Sequence, residues 1–253
     1  MGATLKDAAA VGGMRRAGRI VAEMLDVCRA LVRPGVTTAE LDSACAVVLS
    51  RYGATSNFLG YPGVSRPFPA VLCASRNDAV VHGVPDDLPL DEGDLLSVDT
   101  GAVLDGWHAD AAMTFAVGEV DTAARALVAA TEAALAAGVT AATAGARLGD
   151  VGHAVQSRAE AAGFEVVREY SGHGIGRAMH EDPAVPSHGR PGTGMRIRAG
   201  LCIAIEPILV EGSPRTLLAD DGWTVLTADG GRAAHFEHSI AVGEDGPVIL
   251  TAP

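Results

Sequence analysis

The sequence predicts an α+β fold made of two similar αβ halves, and three observations predict it. A helix-loop-helix stretch opens the chain, strand-like runs follow, and the same order begins again after Gly118. Sliding the first half by 110 residues sets Gly35 on Gly145, Glu40 on Asp150, Leu41 on Val151, Ala44 on Ala154 and Gly53 on Gly163. Ala-rich amphipathic helices align with one another readily, so this correspondence leaves a chance match open. No Pro/Gly/Ser-rich linker divides the halves, which predicts a single domain over residues 1–253.

Taken in order, residues from about Asp7 to Val32 repeat with a helical period, with Ile20, Met24, Val27 and Leu31 on one stripe. Arg33-Pro34-Gly35 ends that helix, and Thr37 or Thr38 caps a second one that runs to about Tyr52 and stops at Gly53. The loop 57–70 holds three prolines and two glycines and is irregular. Short strands are expected at Val71–Ala74 and Val80–His82, followed by a hairpin over Leu95–Phe115 that turns at Asp105-Gly106. The second half opens with helices over Asp121–Ala137 and Leu148–Ala162. A glycine-rich loop, SGHGIGRAMHEDP (Ser171–Pro183), comes next, then an apolar strand around Glu206 and closing strands with Glu237 inside the last.

Composition narrows the functional classes. Apolar residues make up 48% of the chain and charged residues 20%, which suits a packed globular protein. A net charge of −12 without a basic stripe argues against nucleic acid as a partner. Cys28, Cys45, Cys73 and Cys202 are widely spaced and form no CxxC pair, which predicts reduced thiols. No signal-peptide core or membrane-length apolar run is expected, and Lys6 breaks the myristoylation pattern. The expectation is a soluble, cytoplasmic, monomeric protein that does not enter membranes.

Four carboxylates stand in apolar strand contexts: Asp99, Asp110, Glu206 and Glu237. Any one alone would more often be a carboxylate paired with arginine or capping a loop. The neighbouring strands offer no matching lysine or arginine, so another cation is required. His173, in its glycine-flanked loop, is a neutral ligand able to complete the set, and oxygen donors with one imidazole suit Mn, Fe(II), Co or Zn. Four negative ligands exceed the need of one divalent ion and point to two.

In the order Asp99, Asp110, His173, Glu206, Glu237 the chain resembles the methionine aminopeptidases of the creatinase-like pita-bread fold. The strings NDAVVHGVPDD, VDTGAVLDGWHADAAMTF, GHGIGRAMHEDP, IEPIL, DGWTVLT and FEHSI carry the resemblance across nearly the whole chain. It implies two pseudo-symmetric halves around a curved antiparallel sheet. It also implies removal of the initiator methionine from nascent chains with a small second residue, by a hydroxide bridging two metals. Asp99 would chelate one metal, Asp110 and Glu237 would bridge the pair, and His173 and Glu206 would complete the other. Glu206 would also relay a proton, while His82 and His180 would contact the scissile amide and the oxyanion. Phe58, Tyr61, Phe68, Cys73, Met179 and Trp223 would line the methionine pocket. Here the chain departs from the family: Phe58 replaces a common cysteine, Phe68 a tyrosine and Met179 a phenylalanine, and the loop between Tyr61 and Phe68 looks extended. The resemblance is to the short bacterial type, which is expected to carry no zinc-finger or Pro-rich extension for reaching the ribosome.

Rival readings have identifiable weaknesses. Asp99-Thr100-Gly101 copies an aspartic-protease signature but has no second copy. Gly172-His173-Gly174 lacks the third glycine of a dinucleotide loop, because Arg177 occupies that place. Xaa-Pro peptidases and creatinase-type hydrolases share the fold but usually carry a further N-terminal domain. A catalytically dead binding protein would have lost metal ligands, and all five positions are filled.

Overall fold

In a computed structural model of the chain, which describes residues 2–63 and 66–252, each half opens on a capped helix pair. Asp7 caps helix α1 (Ala8–Leu31) by accepting the Ala10 N–H at 2.8 Å. Thr37 caps α2 (Thr38–Tyr52), with Glu40 reaching back to the Thr37 N–H at 2.8 Å. In the second half, α3 spans Thr122–Ala141, four residues past the expected end, and α4 spans Leu148–Ala161. Val64 and Ser65, inside the loop read as extended, lie outside the described residues.

The internal repeat is written in the backbone. Gly35 and Gly145, 110 residues apart, both take positive φ (87° and 98°), as do Gly53 and Gly163 (62° and 85°). Asp150 accepts the Arg147 N–H at 2.7 Å just as Glu40 accepts that of Thr37. Matching turn and cap chemistry at the same offset is more than amphipathic helices produce by chance.

Each helix pair covers its own core. Leu41, Leu72, Leu96 and Val98 belong to the first, Leu127, Val151, Ile203 and Ile240 to the second, and Met113 packs against both. On α1 Ile20 and Met24 of the predicted stripe are buried together with Ala17, Val21, Leu25 and Cys28, whereas Val27 and Leu31 are only half-buried. The difference arises because α1 packs against both the hairpin and α2, so its buried face is broader than the predicted stripe and offset from its C-terminal end. Each fully buried Val, Leu, Ile or Met side chain contributes roughly 1.5–3 kcal/mol. Contrary to the expectation of no membrane-length apolar run, helix α3 is long and apolar enough to cross a membrane by length and composition, yet its apolar stripe (Leu127, Ala130, Ala134, Leu135) lies in the second core.

The hairpin strands Leu95–Leu104 and Trp107–Ala116 pair in full register around Asp105-Gly106, both at positive φ (52° and 72°). In the second half, Ile205 pairs with His238 in a five-stranded sheet and Ile208 pairs with His235 in a three-stranded one. Glu206-Pro207 and Phe236-Glu237 therefore face each other where both chains change sheets. The sequence placed both glutamates inside strands; the structure puts them at these breaks, where the ladder is interrupted and a side chain can be re-aimed.

Close approach of α1 to the C-terminal segment sets a test. A Cβ at Gly18 would stand 2.1 Å from the Leu250 carbonyl oxygen, while one at Gly12 would meet nothing within 4 Å. Overpacking costs about 1–3 kcal/mol and outweighs the gain of up to about 1 kcal/mol from alanine in a helix. Gly18→Ala should destabilise the protein and Gly12→Ala should stabilise it, as read by urea denaturation.

Candidate metal centre

Strand pairing explains how the two aspartates meet. Asp99 lies opposite Ala112 and Gly101 opposite Asp110, so all four residues share one face of the hairpin. The small neighbours leave room beside both carboxylates. The second half is brought in by hydrogen bonds across the sheet edges. The Glu237 N–H donates to the Ala112 carbonyl at 2.9 Å, and the Ser239 hydroxyl reaches Asp110 Oδ1 at 2.8 Å while accepting the Asp110 N–H at 3.1 Å.

The five predicted ligands converge. One atom each from Asp110, His173 and Glu237 lie within 4.8 Å of one another. His173 Nε2 stands 3.5 Å from Asp110 Oδ2 and 3.6 Å from Glu206 Oε1. Its other ring nitrogen, Nδ1, is 2.9 Å from the Gly174 carbonyl, which can only accept, so Nδ1 carries the proton. In the neutral ring that leaves the Nε2 lone pair aimed at carboxylates, a contact that makes chemical sense with a cation between them.

Three further observations fit a metal. Asp99 Oδ1 is buried and has no hydrogen-bond partner. Among the described residues, none of Asp99, Asp110, Glu206 or Glu237 forms an ion pair with lysine or arginine. Burial, followed by repulsion from the neighbouring carboxylates, raises the Asp99, Glu206 and Glu237 carboxyls well above the usual range. Burial also raises Asp110, although His173 and the Ser239 hydroxyl pull it back in part. Oxygen donors with a single imidazole suit a hard or borderline divalent ion.

The carboxylates form the floor of a cavity of about 180 Å³. Phe58, Phe68, Cys73, Met179 and Trp223 wall it, with Phe68 edge-on to Phe58 (6.5 Å between centroids) and to Trp223 (5.1 Å). His82 lies at its edge with φ of 58°, its ring set against Tyr170 and Trp223. Tyr61 is exposed at the cavity's side, its hydroxyl 2.7 Å from His180 Nδ1, and the His180 ring lies 4.4 Å from that of His173. Burial lowers the His82 pKa, and burial together with neighbouring histidines lowers that of His180 to about 4. Both rings are neutral at pH 7. Burial, then Asp99 directly across the strand pair, raises the Cys73 thiol well above its usual value and keeps it protonated.

Every residue the sequence singled out as ligand, histidine or pocket wall lines this cavity. Tyr170 and Ser171 line it too and were not anticipated, nor was Ser239 beneath Asp110. Tyr170 and Ser171 immediately precede Gly172-His173, which is a usable signal; Ser239 reads in sequence as an ordinary polar strand residue.

The comparisons with known proteins agree with this geometry. Residues 12–244 match metallopeptidase family M24. The chain belongs to that family. It is 49% identical to methionine aminopeptidase 1 of Mycobacterium tuberculosis, covering 97% of this chain and 94% of the relative. It is 46% identical to methionine aminopeptidase of Clostridium perfringens, covering 98% of each. The crystal structure of methionine aminopeptidase from Rickettsia prowazekii superposes with a TM-score of 0.95 at 39% identity, over 98% of this chain and 99% of that one. The M24 fold extends to a Pyrococcus furiosus prolidase at 19% identity (TM-score 0.77), of which this chain covers 65%.

The raised carboxyl pKa values set the pH dependence of the metal-free protein. The folded state holds protons that the unfolded state releases above pH ~4, so stability falls as pH rises from there. A bound cation removes that loss. The gap in Tm between Mn-loaded and EDTA-treated protein should therefore widen from pH 5 to pH 8. An equal gap at both pH values would show that the carboxylates are not what the metal relieves.

Proposed function

We propose that this M24 metallopeptidase hydrolyses the N-terminal methionine from polypeptides whose second residue is small, as one catalytic domain acting in the cytoplasm on nascent chains. The observation that carries this reading is a carboxylate–imidazole floor sealed on one side by an apolar pocket of single-side-chain size. The near full-length similarity to methionine aminopeptidases supports it.

Asp99, Asp110, His173, Glu206 and Glu237 would hold two divalent ions, of Co, Mn, Fe(II) or Zn. When bound, these supply Lewis acidity and a water nucleophile that ionises near neutral pH. The chain's own groups do the rest. The pocket walls take the flexible, polarisable methionine side chain and exclude water around it. Glu206 accepts the nucleophile's proton on its carboxylate and returns it to the departing amine. His82 and His180, both neutral, each have one N–H to donate, to the scissile amide and to the developing oxyanion. Neutrality suits that role, because a second pair of positive charges beside the metals would repel them.

Release of methionine from Met-Ala-Ser with added Mn or Co, and none from Xaa-Pro peptides, is the expected result; no metal-dependent release overturns the reading. Glu206→Gln should lower kcat by about 10²–10⁴, the range of a lost general base. His82→Ala should cost about 10²–10³ in kcat while the protein still binds metal on elemental analysis. Loss of metal in that variant would make His82 a ligand instead.

A further inference from the structure

Lys6 belongs to none of the groups above, yet its side chain is only 4% exposed. It lies in the segment before α1, where its N–H donates to the Gly200 carbonyl at 2.7 Å and Leu5 bridges Leu201. Its ammonium donates to Glu181 Oε2 at 2.6 Å and to the Thr4 carbonyl at 3.0 Å. The other Glu181 oxygen, Oε1, accepts the N–H groups of Arg177 (2.7 Å) and Ala178 (3.2 Å). One carboxylate thus ties together the turn that presents Met179 and His180 to the cavity.

The slot for this pair is built by the main chain. A Cβ at Gly176 would stand 2.5 Å from Lys6 Cε and 2.7 Å from Glu181 Oε1, and a Cβ at Gly200 would stand 2.8 Å from the Lys6 carbonyl. Burial pushes the Glu181 carboxyl up, but the Lys6 ammonium and the two N–H groups outweigh it and hold the group below its usual range. A buried ion pair of this kind adds little net stability over an apolar replacement. What it does supply is a fixed position for the residue next to it in the chain, His180.

We propose that Lys6 is a positioning residue for the reaction, holding His180 in register through Glu181. The proposal rests on the part given to His180 under the proposed function. Tyr61 sets the ring through Nδ1, and the Lys6–Glu181 pair sets the backbone from which the ring projects. A displacement of an ångström at such a group costs up to about 100-fold in rate, so the effect belongs in kcat.

The test is a double-mutant cycle on the metal-loaded protein with Met-Ala-Ser as substrate. Lys6→Met should lower kcat at least about tenfold with KM and metal content little changed, and Lys6→Arg should recover most of the loss. In a His180→Ala background, Lys6→Met should cost no more than about twofold further, because the group it positions is gone. Glu181→Gln, which keeps the side-chain shape, runs the same cycle if Lys6→Met does not fold. An unchanged kcat, or the same fold loss with and without His180, overturns the proposal. Wild-type turnover in His180→Ala alone overturns the part given to His180, and with it the route through which Lys6 acts. Slow His180→Ala with additive losses overturns only the role of Lys6.

Discussion

Mutual repulsion among Asp99, Asp110, Glu206 and Glu237 is the constraint to which the rest of the structure answers. Two like charges about 4 Å apart repel by about 4 kcal/mol at an effective dielectric near 20, and a domain's whole stability is only about 5–15 kcal/mol. No lysine or arginine among the described residues pairs with any of the four. The chain must either keep protons on these groups or take up cations. Their raised pKa values describe the first state, and the aimed lone pair of His173 with the orphaned Asp99 Oδ1 describes preparation for the second.

The architecture holds those groups together despite the repulsion. The full-register hairpin fixes Asp99 and Asp110 on one face, and the sheet-switching breaks aim Glu206 and Glu237 toward it from the other half. Ser239 and the Glu237 N–H lock the two halves where the charges meet. Met113, packed against both cores, continues that joint into the apolar interior. The repeated helix pairs serve as two similar braces, one behind each half of the ligand set.

Beside the charged floor the chemistry reverses. Phe58, Phe68 and Trp223 meet edge-to-face, and the nearby thiol and imidazoles are kept neutral by burial. A pocket with a charged base and uncharged apolar walls accepts a substrate whose reacting amide must lie against cations while its side chain leaves water. Phe68 and Met179 belong to the apolar cluster that walls the pocket, and Phe68 fills its place with no hydroxyl to satisfy.

Much of this was legible in the linear chain. The ends of α1 and α2 followed from caps and glycines, though α3 runs four residues past its expected end; the hairpin followed from Asp105-Gly106, and the candidate ligands from carboxylates that had no local reason to stand among apolar residues. Local chemistry determines such features because a turn, a cap or a period needs only its neighbours. The sheet breaks at Glu206 and Glu237 were not legible, since a strand's end there depends on which sheet each partner joins. Nor were Ser239 beneath Asp110 or the buried reach of Lys6 to Glu181, 175 residues away. The carboxylates that would share a cation are marked by their apolar neighbours along the chain, but how they are held depends on long-range pairing, which sets where each strand ends and which way its side chain points.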